Sequence, residues 1–374
     1  MSLTETAAEA LAGIGGDLID PPTLIRAKVP LELSGEAVRN RICTFVDQEG
    51  REWALRPDLT LVVAQAEVAA RQAGQSGETL RRYQGPVFRL PVVPEAPVEF
   101  DQVGLEKFGA PNSVEEDAWL FDTLAEASAA CGVNTGEVCF GDLSVFPTFV
   151  EAMDMSPDVA AGLKRAFRQE GGVRAFLSGQ ERNRSGLSGR LSGMAREDVA
   201  AFVDDIFAMT NVRPVGERSA DEIVERLYER AKSSGATLSP AHKTAIEQVL
   251  SLSVPLDQAP DALAKIGKEN GLVGLDETLN QFAQRTEKLL ASAHTKLMET
   301  AKFATRFGRR FTYYDGFVFE VTTITSAGPA NLPFIAGGRY DSLLRDLSGG
   351  QVDATAIGGI IVPHRLPVET GAGS

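Results

Sequence analysis

Two hydrophobic patterns divide this chain, and their order restricts the fold that it can adopt. Strand-like segments occur before about residue 155 and again after residue 300, whereas helical patterns dominate between them. Strands that resume after a helical interruption predict one sheet domain with an inserted helical segment. We therefore expect an α+β fold in which helices flank an antiparallel sheet. The predicted sheet domain comprises residues 1–155 and 270–374, and the helical insertion comprises residues 156–269.

A predicted hairpin at residues 311–345 is the most polar part of the sheet domain. Two strand patterns, YYDGFVFEV and the run ending in LPFIA, are separated by a polar turn with Gly and Pro. We expect the second strand to lead into a turn, 337–341, that brings Arg, Tyr and Asp together. With the arginines that precede the first strand, this hairpin suits a small anionic or zwitterionic ligand. The pattern alone favours the other interpretation, in which the tyrosines are core residues and the glycines only make turns.

Strands in the first third of the chain carry further polar residues. EWALRPDLT predicts a strand and then a helix, so Asp58 either caps that helix or meets a ligand, and the cap is the better interpretation of the pattern alone. The strands RYQGPVFRL and FDQVGLEKF are expected to pair across a proline-rich loop. Their pairing would bring Arg89 near Gln102 and Glu106, which share one strand face by the two-residue period.

The segment 177–193, LSGQERNRSGLSGRLSG, is rich in Gly, Ser and Arg. We interpret it as a solvated loop, because this composition is typical of loops between periodic segments. An anion-binding loop is the alternative that its arginines leave open.

Composition lowers the expectation for several classes of function. A net charge of −14 argues against a nucleic-acid partner, which normally requires a basic face. No apolar run approaches the roughly 20 residues of a membrane span. The N-terminus lacks a basic segment followed by an apolar one, so we expect a cytoplasmic protein. Three scattered cysteines and three histidines indicate neither a disulfide framework nor a metal centre, and no cofactor is indicated.

Five segments resemble those of the histidyl-tRNA synthetase family, and they occur in that family's order. They are ALRPDLT, GPVFR followed by FDQVGLE, RRFTYYDGFVFE, AGGRYDSLL and IGGIIVPHRL. The resemblance covers most of residues 40–155 and 300–366 and implies the class II synthetase fold. It also implies an amino-acid pocket lined by Asp58, Arg89, Gln102, Glu106, Arg309, Tyr313 and Tyr314.

The resemblance implies a role for each pocket residue. Asp58, Gln102 and Glu106 would meet the amino group and ring of a bound histidine, and Arg89 would face its carboxylate. Arg309 corresponds to the arginine that promotes adenylation in the synthetase. The two adjacent tyrosines would line the imidazole pocket. These pairings are chemically coherent, because carboxylates pair with ammonium groups and guanidinium groups pair with carboxylates.

Three departures from the family argue against aminoacylation. Residues 90–101, LPVVPEAPVEFD, contain no basic residue that could stabilise phosphates. Val362 and His364 replace a glycine and an acid of the family's nucleotide-binding segment, and a β-branched side chain there should crowd a nucleotide. The chain ends soon after this segment, so we expect no anticodon-binding domain.

These departures resemble the ATP phosphoribosyltransferase regulatory subunits, a synthetase-like family of histidine biosynthesis. That resemblance implies a non-catalytic subunit, without catalytic residues, that assembles with a short-form catalytic ATP phosphoribosyltransferase. It also implies histidine feedback and a homodimer within a larger hetero-oligomer. The alternatives are an active histidyl-tRNA synthetase without its C-terminal domain and a tRNA- or protein-modifying enzyme that uses the same pocket. Asp58 is one methylene shorter than the family's glutamate, which leaves open a pocket that no longer binds histidine.

Overall fold

The structure, a computed structural model, describes most of the chain. The described residues are 1–34, 36–91, 96–111, 113–169, 171–182, 191, 194–210, 224–225, 227–228, 238–307, 313–324 and 332–367. Two compact units divide the chain: unit 1 comprises Met1–Val145, Leu250–Lys268 and Leu275–Ser374, and unit 2 comprises Phe146–Val249 and Glu269–Gly274. The domain boundaries expected from the sequence stay a prediction, because compactness alone does not establish an independently folding domain.

The helices and strands of the described residues are numbered here in chain order. The strands are β1 (Asp17–Leu18), β2 (Leu24–Arg26), β3 (Thr44–Val46), β4 (Glu52–Leu55), β5 (Thr79–Phe88), β6 (Glu99–Phe108), β7 (Glu137–Asp142), β8 (Ser253–Pro255), β9 (Lys302–Ala304), β10 (Phe317–Thr322), β11 (Ile335–Arg339) and β12 (Ala356–Ile361). The helices are α1 (Leu3–Ala12), α2 (Lys28–Leu33), α3 (Glu36–Arg39), α4 (Thr60–Gln72), α5 (Val114–Ala130), α6 (Val145–Ala152), α7 (Pro157–Phe167), α8 (Gly172–Arg182), α9 (Arg196–Thr210), α10 (Pro240–Ser251), α11 (Ala259–Glu269), α12 (Asp276–Leu290), α13 (Thr295–Met298) and α14 (Leu343–Leu347). Short 3-10 helices lie at Leu256–Gln258 and Pro363–Arg365.

Unit 1 is built on a large sheet in the order β1-β5-β6-β12-β11-β10-β7-β9-β8. Its neighbouring strands are antiparallel except in the pairs β1–β5 and β7–β9. The strands β2, β4 and β3 form a separate small sheet. The expected α+β fold with a predominantly antiparallel sheet is therefore confirmed. The expected pairing of RYQGPVFRL with FDQVGLEKF is confirmed as β5 and β6, where Gly85 lies opposite Gln102.

The predicted hairpin is present as β10 and β11, but its second strand is longer than expected. Gly337 and Gly338 were predicted to lie in a turn, whereas β11 continues through both to Arg339. The reason is close packing at the middle of the sheet. A Cβ atom on Gly337 would lie 2.9 Å from the ring of Phe319, and one on Gly338 would lie 2.5 Å from the carbonyl oxygen of Phe317. These glycines permit strand packing rather than a turn.

Helix α5 covers one face of the large sheet. The Ser113 hydroxyl caps its first turn by accepting from the backbone N–H of Glu116 at 3.3 Å. Leu120, Phe121 and Leu124 repeat at helical spacing and are fully or almost fully buried. The Phe121 ring meets the ring of Phe140 from β7 at a centroid distance of 5.2 Å. This packing fixes the sheet from which the polar site is built.

Unit 2 is helical in its described residues. Its aromatic contacts include the stacked rings of Phe146 and Phe167, with centroids 4.4 Å apart. The solvated loop predicted at 177–193 is wrong at its start, because α8 continues to Arg182. Residues 183–190 and 192–193 of that prediction lie outside the described residues.

None of the helices in the described part of the chain is long and apolar enough to cross a membrane. No group of three or more His, Cys, Asp or Glu residues within it could hold a metal ion.

Candidate functional site

Asp58 lies between β4 and α4, where its two carboxylate oxygens have different surroundings. Oδ1 accepts from the backbone N–H of Leu61 at 2.9 Å and so caps the start of the helix. Oδ2 is buried and has no hydrogen-bond partner among the described residues. Burial raises the pKa of this carboxyl, and the nearby charge of Arg89 opposes that shift. One oxygen is thus structural, while the other is a buried acceptor of the kind that a ligand can satisfy.

Arg89 follows β5 directly and places its guanidinium beside Asp58. Its Nε donates to the backbone carbonyl oxygen of Pro57 at 2.6 Å, and the residue is 8% exposed. Burial lowers the pKa of Arg89, and its electrostatic interactions with Asp58, Tyr313 and Tyr314 oppose that shift. The arginine, the carboxylate and the two tyrosines therefore share one buried region.

Gln102 on β6 contributes a second buried polar group. Its Oε1 accepts from the backbone N–H of Leu59 at 3.2 Å, one residue after Asp58. Its Nε2 is buried and has no hydrogen-bond partner within the described ranges. Gln102 thus adds a buried donor to the buried acceptor of Asp58, and its own bond to Leu59 joins β6 to the residue after Asp58.

Glu106 lies two pleat repeats beyond Gln102, on the same face of β6, and is fully buried. The hydroxyls of Thr60 and Tyr83 each donate to its Oε1 at 2.6 Å, and the hydroxyl of Tyr340 donates to its Oε2. Burial raises the pKa of Glu106 from 4.5 to about 7, although these three hydroxyls lower it. Because a carboxylate has roughly four acceptor positions, about one remains for a further donor.

Sequence reasoning did not find the three hydroxyl partners of Glu106. Tyr83 left one usable signal, since it lies opposite Gly104 in the paired strands β5 and β6. A Cβ atom on Gly104 would lie 2.7 Å from the Tyr83 hydroxyl oxygen, so the glycine lets the ring cross to Glu106. Tyr340 comes from beyond β11, and no local pattern connects it to this carboxylate.

Gly358 on β12 lies directly opposite Glu106. A Cβ atom at this position would overlap the Oε2 atom of Glu106. The space above this glycine is therefore filled by the carboxylate of Glu106. Val362, four residues later, is 2% exposed and packs in the hydrophobic core beside α4 and Tyr340.

Three tyrosine rings close the same region. The Tyr313 and Tyr314 centroids are 4.8 Å apart, and they lie 5.8 Å and 6.1 Å, respectively, from the centroid of Tyr340. Tyr313 is 5% exposed, and burial raises its pKa well above the usual range. Both rings of the pair interact electrostatically with Asp58 and Glu106. The tyrosines therefore belong to the hydrophobic core and also face the buried polar groups Asp58 and Glu106.

The structure therefore gathers six of the seven predicted pocket residues in unit 1, and we call this set the amino-acid pocket. Its members are Asp58, Arg89, Gln102, Glu106, Tyr313 and Tyr314. Arg309, the seventh, lies outside the described residues. That these residues bind an amino acid stays a prediction.

The neighbouring region around Phe100 is covered by side chains of this chain, and we call Phe100, His364 and Arg365 the Phe100 cluster. The Arg365 guanidinium lies 4.8 Å from the Phe100 ring centroid, and the His364 ring centroid lies 5.2 Å away. Phe100 is 6% exposed as a result. Burial lowers the pKa of His364, and the charge of Arg365 lowers it further. Residues 92–95 of the predicted loop beside it lie outside the described residues.

Comparison with known structures establishes the class of fold. The histidyl-tRNA synthetase family profile matches residues 1–185. A Bacillus halodurans structure described as an ATP phosphoribosyltransferase regulatory subunit/histidyl-tRNA synthetase is similar with a TM-score of 0.64 and 22% identity, over 97% of this chain and 77% of that one. Histidyl-tRNA synthetase from Nostoc sp. PCC 7120 is similar with a TM-score of 0.59 and 16% identity, over 97% and 69%. This is the fold of a histidyl-tRNA synthetase-like class II protein.

Comparison with curated proteins establishes the family. The ATP phosphoribosyltransferase regulatory subunit of Chelativorans sp. (strain BNC1) is 31% identical over 328 residues, which is 84% of this chain and 83% of that protein. The regulatory subunit of Agrobacterium fabrum is 31% identical over 363 residues, which is 95% of this chain and 93% of that protein. The chain belongs to the family of ATP phosphoribosyltransferase regulatory subunits.

Proposed function

We propose that this chain is the non-catalytic regulatory subunit of a short-form ATP phosphoribosyltransferase, the enzyme of the first step of histidine biosynthesis. It supports the activity of the catalytic subunit and carries feedback inhibition by histidine. The observation that carries this proposal is a pair of buried polar atoms, Asp58 Oδ2 and Gln102 Nε2, that have no hydrogen-bond partner in the described part of a chain of this family. Buried polar atoms of this kind are costly unless a ligand or water satisfies them.

The pocket chemistry matches the groups of free histidine. Asp58 Oδ2 accepts from the ammonium group, and Arg89 pairs with the carboxylate. Glu106, which keeps about one acceptor position, accepts from the imidazole N–H. The paired tyrosine rings pack against the imidazole. Each group of the ligand thereby replaces water with a buried partner.

The Phe100 cluster supports the absence of aminoacylation. A nucleotide base needs an uncovered aromatic or apolar face on which to lie, whereas the Phe100 ring is covered by Arg365 and His364. The core position of Val362 and the Glu106 carboxylate that fills the space above Gly358 cover the backbone of β12 in the same way.

Regulation then follows from linkage between two binding events. If histidine changes the affinity of this chain for the catalytic subunit, the catalytic subunit must change the affinity for histidine by the same factor. The chain forms a homodimer within the hetero-oligomer, it acts in the cytoplasm, and it has no nucleic-acid partner. Sedimentation of the purified chain tests the dimer.

The decisive experiment is reconstitution with a short-form catalytic subunit. The two chains are co-purified, and phosphoribosyl transfer to ATP is measured with and without this chain and with added histidine. We expect a stable complex, activity that depends on this chain, and inhibition by histidine. Activity that is the same without this chain would refute the proposal.

One observation favours a second candidate, an active histidyl-tRNA synthetase without its C-terminal domain. Arg89 is retained and lies beside Asp58 in the pocket. Histidine-dependent exchange of pyrophosphate into ATP by the purified chain would establish this function. The regulatory proposal predicts no exchange above the rate without histidine.

A further inference from the structure

We propose that Asp315 is a positioning residue, which clamps Tyr313 and Tyr314 in place in the amino-acid pocket and thereby sets the affinity of the pocket for its ligand. This inference rests on the proposed function, since it takes the ligand to be histidine. Asp315 lies in the segment RRFTYYDGFVFE, but no role in the pocket was expected of it.

The clamp consists of three hydrogen bonds that join Asp315 to the last residue of β11 and to the segment that follows it. Its backbone N–H donates to the carbonyl oxygen of Arg339 at 3.1 Å. Its Oδ1 accepts from the backbone N–H of Asp341 at 3.0 Å, and its Oδ2 accepts from that of Ser342 at 2.7 Å. Both carboxylate oxygens are therefore engaged by backbone groups that the short turn brings together. Charge-assisted bonds of this type are stronger than neutral ones.

The segment that receives the clamp is held independently of Asp315. Arg339 is 2% exposed, and its Nη2 lies 2.7 Å from the Oδ1 of buried Asp117. The carboxylate of Asp341 accepts from the backbone N–H of Ala356 on β12 at 2.9 Å. The Tyr340 hydroxyl donates to Glu106. Asp315 thus ties the tyrosine turn to a part of the sheet that is already fixed.

The clamp acts one residue away from the rings that line the pocket. Tyr314 immediately precedes Asp315, and Gly316 follows it and accepts from the backbone N–H of Leu143 at 2.9 Å. The bond between Leu143 and Gly316 anchors the start of β10. It lies after Asp315 in the chain, whereas the tyrosines lie before it. Removal of the carboxylate therefore frees the tyrosine side of the turn while the strand stays paired.

The test uses the full chain and two measurements on the Asp315→Ala variant. Hydrogen exchange followed by mass spectrometry should show faster exchange in the peptide that contains the N–H groups of Asp341 and Ser342. Calorimetric titration should show histidine affinity about tenfold weaker, as expected if the ordered turn is populated about a tenth of the time. Asp315→Asn, which keeps one acceptor oxygen, should give an intermediate affinity.

Asp47→Ala is the matched control. Asp47 is another partly buried turn carboxylate, and its Oδ1 accepts from the backbone N–H groups of Glu49 and Arg51, both at 2.9 Å. It lies in the turn between β3 and β4, so its loss should leave histidine affinity unchanged. A general loss of turn stability would instead weaken binding in both variants and would overturn the assignment to Asp315.

The two measurements separate the clamp from the proposed function. Unchanged exchange in Asp315→Ala overturns the clamp, and faster exchange with unchanged histidine affinity overturns its effect on the pocket. A wild-type chain that binds no histidine, alone or with the catalytic subunit, overturns the histidine role of both proposals. The exchange result still decides the clamp itself in that case.

Discussion

The amino-acid pocket and the Phe100 cluster adjoin at Arg89, whose guanidinium lies 5.6 Å from the Phe100 ring centroid, yet the two differ in what satisfies their side chains. In the pocket, Asp58 Oδ2 and Gln102 Nε2 are buried and have no partner among the described residues. In the cluster, the Phe100 ring is covered by Arg365 and His364 of the same chain. The comparison teaches that the two halves of a synthetase-like site can differ: the pocket leaves buried polar atoms for a ligand to satisfy, as the proposed function requires, whereas side chains of the chain itself cover the aromatic ring of the cluster.

The largest effect is expected where the closed strand β12 meets the pocket. In Gly358→Ala the new methyl group overlaps Glu106 and must displace it from its three hydroxyl partners. We expect a loss of about 3 kcal/mol or more in the free energy of unfolding, because overpacking and buried unsatisfied groups add. Urea unfolding measures this loss.

Gly13→Ala is the control for that substitution, since a Cβ atom there makes only an ordinary contact at 3.4 Å. Its free energy of unfolding should stay within about 1 kcal/mol of the wild type. A tolerated Gly358→Ala would show that the strand is open, as the synthetase interpretation requires, and would break the comparison.

The next effect concerns the pH dependence of stability. The pKa of Glu106 is raised from 4.5 to about 7, so the folded chain binds a proton that the unfolded chain has released between these values. The resulting contribution to the free energy of unfolding is on the order of 3 kcal/mol. It is fully present below pH 4.5 and is lost as the pH rises through 7. Urea unfolding at pH 5 and pH 8 measures this fall. The Glu106→Gln variant should lose this part of the pH dependence, and an identical slope in both chains would contradict the assignment.

A smaller effect separates the two roles of Asp58. Asp58→Asn keeps an acceptor for the N–H of Leu61 but removes the charge that meets the ammonium group. We expect histidine affinity to fall about tenfold to hundredfold, which corresponds to about 1.5–3 kcal/mol for a bond to a charged group. Calorimetry measures the affinity, and thermal unfolding should show little loss of stability. Equal histidine affinity in both chains would leave Asp58 as a cap only.

The smallest effect on stability and on histidine affinity is expected in the Phe100 cluster. Arg365→Ala removes the guanidinium from the Phe100 ring, and we expect a loss of about 1 kcal/mol in the free energy of unfolding. Histidine affinity should change by less than about twofold, because Arg365 belongs to the cluster rather than to the pocket. Pyrophosphate exchange gained by this variant would show that the cluster merely blocks a working nucleotide site.

The parts of the fold that depend on residues adjacent in the sequence could be predicted from the sequence alone. The alternation of side chains in RYQGPVFRL and FDQVGLEKF was enough to predict the pairing of β5 with β6. Pro57 followed by Asp58 was enough to predict that a helix, α4, begins there. The strand through Gly337 and Gly338 could not be predicted, because its glycines serve pairing with strands that are distant in the sequence. Locally they are identical to turn glycines.

The site divides in the same way. The two-residue period placed Gln102 and Glu106 on one strand face, and the resemblance gave them a role. The hydroxyls that hold Glu106, however, come from α4, β5 and the segment after β11. Only the assembled sheet brings these together. Asp315 was missed for a related reason, since its partners Asp341 and Ser342 are backbone groups that carry no sequence signal.

The central claim is that the pocket still recognises histidine while the nucleotide side is closed. It is tested most directly by calorimetric titration of the full chain, and of its complex with the catalytic subunit, with histidine and then with ATP. We predict saturable histidine binding at a site that Asp58→Asn weakens, and no binding of ATP to the isolated chain even when histidine is bound. Saturable binding of ATP to the isolated chain, or no histidine binding in either form, would contradict the account.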